Sequence, residues 1–326
     1  MDDVARRVLE ELRESAIPRS GRELGEKAGI TMAEISRAIR TLRKQGYRIQ
    51  TKKKGIYQFE QTTSKLLPYE VQRLLRTEVI GKQMQYYEKI TSTGTVAKDL
   101  ISTQDPAIFH GMVIIAEEQT GGTGRLGRAW ISPGGGIWTT LILKPRIPVD
   151  RLFMLTMVGS IAVVRAIKKI TGIGSLIKWP NDIYIGNRKV GGIITELSAE
   201  GPIVHYCLVG IGIDVNIPLG DLPTRLRESA TSLSAELGHE VDRAPLLATL
   251  LREFELRYLQ IESNEYDSIV REWKSLSCTL EHRVRINLGS RSFDGDAIDI
   301  DDYGALIVRK DSGAVERVIA GDCLHL

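Results

Sequence analysis

Residues 121–128 (GGTGRLGR) and the following 130–136 (WISPGGG) constrain this chain more than any other segment. They lie between 112–116 and 137–143, two apolar runs of strand length rich in β-branched residues. The sequence therefore predicts a strand, a glycine-rich loop carrying Arg125 and Arg128, and a second strand, with no helix between them. That order excludes two common nucleotide motifs. Gly122-x-Gly124-x-x-Gly127 has the spacing of the dinucleotide fingerprint, but that fingerprint opens a helix and is followed about 20 residues later by an acidic ribose ligand. A P-loop needs Lys-Ser/Thr after its last glycine, whereas Gly127 is followed by Arg128-Ala129. What is left is a loop whose bare backbone can approach a phosphate while two guanidinium forks hold its oxygens.

Charge divides the chain. The net +3 hides a basic end, because residues 1–62 hold 14 Lys+Arg against 9 Asp+Glu. Within 31–55 the basic residues Arg37, Arg40, Arg43, Lys44, Arg48, Lys52, Lys53 and Lys54 face a single acid, Glu34. Such an end suits a polyanion. Val4, Val8, Leu9 and Leu12 give a first helix its apolar stripe, and two capping boxes follow, Ser20-x-x-Glu23 and Thr31-x-x-Glu34. The second opens a helix to Gln45 with Ile35, Ala38, Ile39 and Leu42 inside and Ser36, Arg37, Arg40, Thr41, Arg43 and Lys44 outside. Segments 47–51 and 56–59 read as a hairpin with Lys52-Lys53-Lys54-Gly55 at its tip. Together these elements resemble a winged helix-turn-helix, in which the third helix reads DNA bases and the wing holds phosphates.

Three further segments complete the central pattern: 175–184 (SLIKWPNDIY), 189–196 (KVGGIITE) and 209–216 (VGIGIDVN). Glycines inside strands mark places where a ligand or another backbone comes close. The ordered set resembles the biotin protein ligase family, and with the basic end it is similar to that family's bifunctional ligase and repressor members. The family's GRGRRGR loop falls on 122–128, its KWPND on 178–182, its K-x-x-G-I strand on 189–193 and its GIGINVN strand on 210–216. Three positions depart from the pattern: Thr123, Gly94 and Asp214, the last standing where the family has Asn.

The resemblance implies an α/β fold with an N-terminal winged helix over 1–62. A catalytic domain over 63–275 would hold a central mixed sheet with helices, related to class II aminoacyl-tRNA synthetases, and an SH3-like β-barrel would cover 276–326. It implies that biotin and ATP, with Mg²⁺, form biotinyl-5′-AMP, from which biotin passes to a lysine of a biotin carboxyl carrier domain. Neither step needs a protein nucleophile, and positioning and charge stabilisation at phosphorus dominate. Lys178, Arg125 and Arg128 are the catalytic cations by similarity. Biotin falls to Ser92, Thr93, Gln119, Gly122, Gly124, Lys178, Gly191, Gly192 and Gly212, and the nucleotide to Arg125, Arg128, Trp130 and Asn181. Asp182 stands near Mg²⁺ carried by ATP. The DNA operator falls to Ser36, Arg37, Arg40, Thr41, Arg43, Lys44, Lys52, Lys53 and Lys54. Adenylate ordering of loop 119–128 is expected to favour a homodimer on paired half-sites.

Composition limits the alternatives. At 42% hydrophobic and 26% charged residues the chain matches globular averages. No apolar run approaches the ~18 residues that a membrane span needs, and three widely spaced Cys fit a cytoplasmic protein with no membrane partner. His205/Cys207, Cys278/His282 and Cys323/His325 are pairs lacking the other two ligands of structural zinc. Segment 62–88 reads as a linker with a helix over 69–75, Asp150 as the cap of a long helix to 169, and Pro245 as the start of another to 261. Two other functions compete: a DNA-binding regulator that only senses biotin or its adenylate, and a lipoate-type ligase.

Overall fold

A computed structural model describes residues 1–289 and 291–326. Contacts divide the chain into two units, Met1–Lys65 and Leu66–Leu326.

In the first unit, Asp2 caps α1 (Asp3–Arg13) by accepting the Ala5 amide, and Ala5, Val8, Leu9 and Leu12 are buried. After β1 (Arg19–Ser20), both predicted capping boxes form, at the starts of α2 (Gly21–Ala28) and α3 (Met32–Lys44). Gly29 closes α2 in the left-handed region that an L side chain resists. The hairpin pairs β2 (Arg48–Lys53) with β3 (Ile56–Gln61), and Lys54-Gly55 form its turn. The sequence misses one feature here. Arg19-Ser20, of which only Ser20 was given a role as a helix cap, pairs with Tyr57 and Ile56, so the hairpin becomes a three-stranded sheet ordered β1-β3-β2.

In the second unit, α4 (Pro68–Gln72) precedes β4 (Met84–Ile90), α5 (Thr93–Thr103), β5 (Val113–Gln119) and β6 (Ile137–Leu143). Then come α6 (Phe153–Thr171), β7 (Leu176–Lys178), β8 (Asp182–Ile185), β9 (Arg188–Glu200) and β10 (Ile203–Ile213). Their sheet runs β4-β5-β6-β10-β9-β8-β7, parallel only at β4/β5 and hence mixed. The linker expectation for 62–88 is corrected by β4, an edge strand whose half-buried residues give no alternation to read. Both sheet faces are covered. Val113, Ile115, Leu141, Val209 and Ile211 pack with α6, whereas Ile114, Ile142 and Leu208 join Ala97 and Ile101 of α5. Burial on both faces is why β5 and β6 read as unbroken apolar runs.

The remaining elements are α7 (Leu233–Leu237), α8 (Arg243–Glu262), α9 (Tyr266–Ser275), β11 (Arg283–Asn287), β12 (Ser292–Ile300), β13 (Leu306–Lys310), β14 (Val315–Val318) and β15 (Asp322–His325). Strands β11–β15 form an antiparallel sheet ordered β14-β13-β12-β11-β15. Two helix starts differ from expectation. Asp150 sits inside a single 3₁₀ turn, Val149–Arg151, so α6 begins later, without a side-chain cap. Asp242 rather than Pro245 opens α8, and Pro245 falls in the first turn, where its missing N–H costs nothing. The segment before β11 is tied to the central sheet: Ile177 N donates to Leu276 O at 2.8 Å and Cys278 N to Ile177 O at 2.9 Å. No helix among the described residues is long and apolar enough to cross a membrane.

Candidate active site

Pairing register builds the site. Gly210 lies opposite Thr140 and Ile194, and Gly212 opposite Trp138 and Gly192, on the α5 face of the sheet. Because successive residues alternate faces, Gly192, Gly210 and Gly212 remove side chains from one face only. The residues that follow them along the chain, Ile193, Ile211 and Ile213, stay in the α6 core. The result is a trough opening into a cavity of about 560 Å³, roofed by loop 123–131 and walled by 178–184 and 222–230.

The polar end of the trough lies at the start of α5. Ser92 caps that helix, accepting from Gly94 N at 3.1 Å. Thr93 Oγ1 contacts Thr140 Oγ1 at 2.8 Å, and the Thr93 amide donates to Gln119 Oε1 at 2.8 Å. Gln119 Nε2 in turn donates to Ser132 Oγ at 3.0 Å, so this side chain ties helix, strand and loop together. Lys98 and Glu196, which the sequence did not single out, form an ion pair of 2.5 Å, and Glu196 lines the cavity.

The glycine-rich loop is closed on itself by Gly124 N to Arg128 O at 2.7 Å and Trp130 N to Gly122 O at 2.8 Å. It aims both arginines toward the cavity, where each has a stand-in partner. Arg125 Nη1 donates to Asn181 Oδ1 and its Nη2 to Gly321 O, both at 3.2 Å. Arg128 forks onto Asp322, with Nη1 to Oδ1 at 2.9 Å and Nη2 to Oδ2. Hydrogen bonding to Arg128 holds the Asp322 carboxyl below its usual range. Partial burial lowers the Arg125 pKa. A carboxylate on an arginine fork presents the geometry of phosphate oxygens.

Lys178 ends β7 and faces the cavity, its Nζ 5.0 Å from the Tyr184 ring centroid. It has no carboxylate within salt-bridge distance among the described residues, whereas neighbouring Lys189 is held by Asp182 at 2.5 Å. Trp179, the next residue, is 1% exposed and packs toward the C-terminal sheet: its amide donates to Thr279 Oγ1 at 2.9 Å and its Nε1 to Gly304 O at 3.1 Å. Segments that flank the C-terminal strands thus fix the backbone that carries Lys178. The Trp130 indole lies over Gly212 and Gly192, with Lys189 Nζ 5.0 Å from its ring, and its buried Nε1 has no hydrogen-bond partner among the described residues.

Most of the predicted residues meet here: Ser92, Thr93, Gln119, Gly124, Arg125, Arg128, Trp130, Lys178, Asn181, Asp182, Gly192 and Gly212 all line one cavity. Gly122 and Gly191 do not. A Cβ on Gly122 would stand 2.5 Å from Trp130 O, and one on Gly191 2.8 Å from Gly212 O, so backbone packing accounts for both glycines. Asp322 and Lys189 emerge only from the fold. Asp322 belongs to a strand that the sequence pattern does not reveal, while Lys189 was read as part of a strand motif without a role.

On the first unit, Arg37, Arg40, Lys44, Lys53 and Lys54 are exposed. Arg43 is diverted. Its Nη2 donates to Ile49 O at 2.6 Å and to Thr51 Oγ1 at 2.8 Å, bracing β2 against α3. Ser36 Oγ donates back to Met32 O at 2.9 Å, Thr41 is half-buried, and Lys52 Nζ donates to Gln50 Oε1 at 2.5 Å. No cluster of metal ligands occurs among the described residues.

Comparison with known proteins agrees with the geometry. The biotin/lipoate A/B protein ligase family matches residues 86–214, and the biotin protein ligase C-terminal domain matches 279–326. The chain is 34% identical over 304 residues to the bifunctional ligase/repressor BirA of Bacillus subtilis, covering 93% of this chain and 92% of the relative. The Escherichia coli protein of the same name is 27% identical, with 93% and 91% covered. Both spans are longer than the segment Leu66–Leu326, so the similarity runs into the basic first unit. Among solved structures, the biotin protein ligase of Aquifex aeolicus in complex with biotin and ATP matches with a TM-score of 0.64 and 26% identity, covering 75% of this chain and 99% of that one.

Proposed function

The chain belongs to the biotin protein ligase family, and from that premise we propose that its cavity joins biotin to ATP and delivers the activated acid to a lysine of a biotin carboxyl carrier domain. One observation carries the reading: Lys178, an ammonium group without a carboxylate partner among the described residues, lies in the same cavity as two arginines held by stand-in oxygens.

The biotin carboxylate attacks the α-phosphorus of ATP, pyrophosphate leaves, and the acceptor amine then attacks the mixed anhydride, releasing AMP. Lys178 offsets charge on the carboxylate and on the α-phosphate oxygens as they approach. Arg125 and Arg128 exchange Asn181, Gly321 and Asp322 for phosphate oxygens, so the loop settles over the nucleotide as it binds. The glycine trough receives biotin, with the Ser92, Thr93 and Gln119 end facing its ureido group, which needs both donors and acceptors. Gly124, Gly192 and Gly212 keep the backbone free of side chains around it, while Gly122 and Gly191 act only through the close backbone packing that shapes the loop and the sheet. Trp130 offers the nucleotide base a stacking ring.

Asp182 keeps an oxygen available beside the ion pair with Lys189, and a single carboxylate suits Mg²⁺ carried mainly by ATP phosphates. Such an ion offsets phosphate charge.

Residues 1–62 serve as a winged helix-turn-helix that binds a DNA operator through Arg37, Arg40, Lys44, Lys53 and Lys54, with Ser36, Thr41 and Lys52 beside them. Arg43 shapes the wing. Residues 63–275 form the catalytic domain and 276–326 the SH3-like domain. Adenylate formation favours a homodimer that binds paired half-sites, which makes the chain a biotin-responsive repressor of the cytoplasm. The ligase reading is tested by pyrophosphate release from ATP by the purified full chain. Release that requires biotin supports it; none under any condition overturns it. Gel shifts that tighten with biotin and ATP support the repressor reading, and equal DNA affinity with and without them removes it.

A further inference from the structure

Asp214 is the one cavity carboxylate that nothing neutralises among the described residues. Its backbone is fixed by Asp214 N to Val190 O at 2.8 Å and Leu233 N to Asp214 O at 2.9 Å. The residue is 6% exposed and lines the cavity, yet its carboxyl oxygens have no hydrogen-bond or ion-pair partner among the described residues. Charged groups on the elements packed against it are already engaged. On β9, Lys189 is held by Asp182 at 2.5 Å, and Arg188 pairs at 2.6 Å with Glu236 of α7. The wall residues Leu222, Leu226, Ser229 and Ala230 are uncharged, as is Trp130 above Gly212.

A buried carboxyl with no partner favours its neutral form. Burial pushes Asp214 up to about 8, against a weaker downward pull from Lys189. A neutral carboxylic acid has one O–H donor and acceptor capacity, whereas a carboxylate accepts only and would direct its charge at a polyanion.

Resting on the reading that this cavity takes ATP, we propose that Asp214 works as a protonated acid, a combined donor and acceptor, and that nucleotide binding requires it to keep that proton. The sign follows. Below about pH 8 the group is neutral and admits the nucleotide; above it, each bound nucleotide must draw in one proton.

The test is ATP binding by the full chain without biotin, so that no turnover occurs, measured calorimetrically between pH 7 and 9.5, above the titration of the terminal phosphate. The dissociation constant should rise about tenfold per pH unit beyond the transition, while Asp214→Asn, which keeps a donor and an acceptor without titrating, should stay flat. Wild-type protein at pH 8.5 in two buffers of different ionisation enthalpy should show net proton uptake on binding, a readout that needs no variant. A pH-independent wild type, an equal slope in Asp214→Asn, or zero proton uptake would overturn the inference while leaving the ATP assignment intact. Absence of ATP binding at every pH would overturn both.

Discussion

At the residue scale, the cavity separates cations by their partners. Lys189, Arg125 and Arg128 are each held by an oxygen of the protein, and Lys178 has no carboxylate partner among the described residues. A cation already oriented by its backbone but not paired needs no rearrangement to meet developing charge. Replacing Lys178 by Ala should therefore lower the rate of adenylate formation by about 10²–10³, by analogy with losing one donor to a developing oxyanion. The effect should appear in single-turnover rate rather than in ATP affinity, and a near-normal rate would remove Lys178 from its role. Lys178, Arg125, Arg128 and Trp130 could be singled out in the sequence because the motifs of the family that it resembles fall on or beside them. Lys189, Asp322 and the state of Asp214 could not. Their meaning depends on which strands pair and on how much water each carboxylate loses, and neither is a property of local sequence.

At the element scale, strands with alternating glycine are the most informative feature. In 210–213 and 192–193 the side chains of Ile211, Ile213 and Ile193 point into the core, and the vacant positions Gly210, Gly212 and Gly192 make the trough. Gly212→Ala would place a methyl group 2.9 Å from Trp130 Nε1, so the indole must move off the sheet. The expected outcome is weaker biotin binding, by about tenfold, with little loss of thermal stability, because the ring lies at the cavity and not in the core. Unchanged biotin affinity would show that the trough is not the biotin site. Helix starts marked by capping boxes were legible, since both ends of each box are local in sequence. Strands β1, β4 and β15 were not, because short or half-exposed edge strands are defined by a distant partner rather than by their own pattern.

At the scale of the whole molecule, the basic first unit and the cavity-bearing second unit each have their own core. Charge segregation made that division visible in the sequence, and the glycine and KWPND segments made the chemistry visible. The contribution of the C-terminal sheet was hidden. Asp322 and Gly321 reach the loop arginines, and Thr279 and Gly304 fix Trp179 beside Lys178, so the last strands complete a site whose motifs all lie earlier in the chain. The most direct test of the account is transfer itself: purified full chain, ATP, Mg²⁺, labelled biotin and a biotin carboxyl carrier domain. The account predicts label on a single carrier lysine, dependent on ATP. An unlabelled carrier would contradict it.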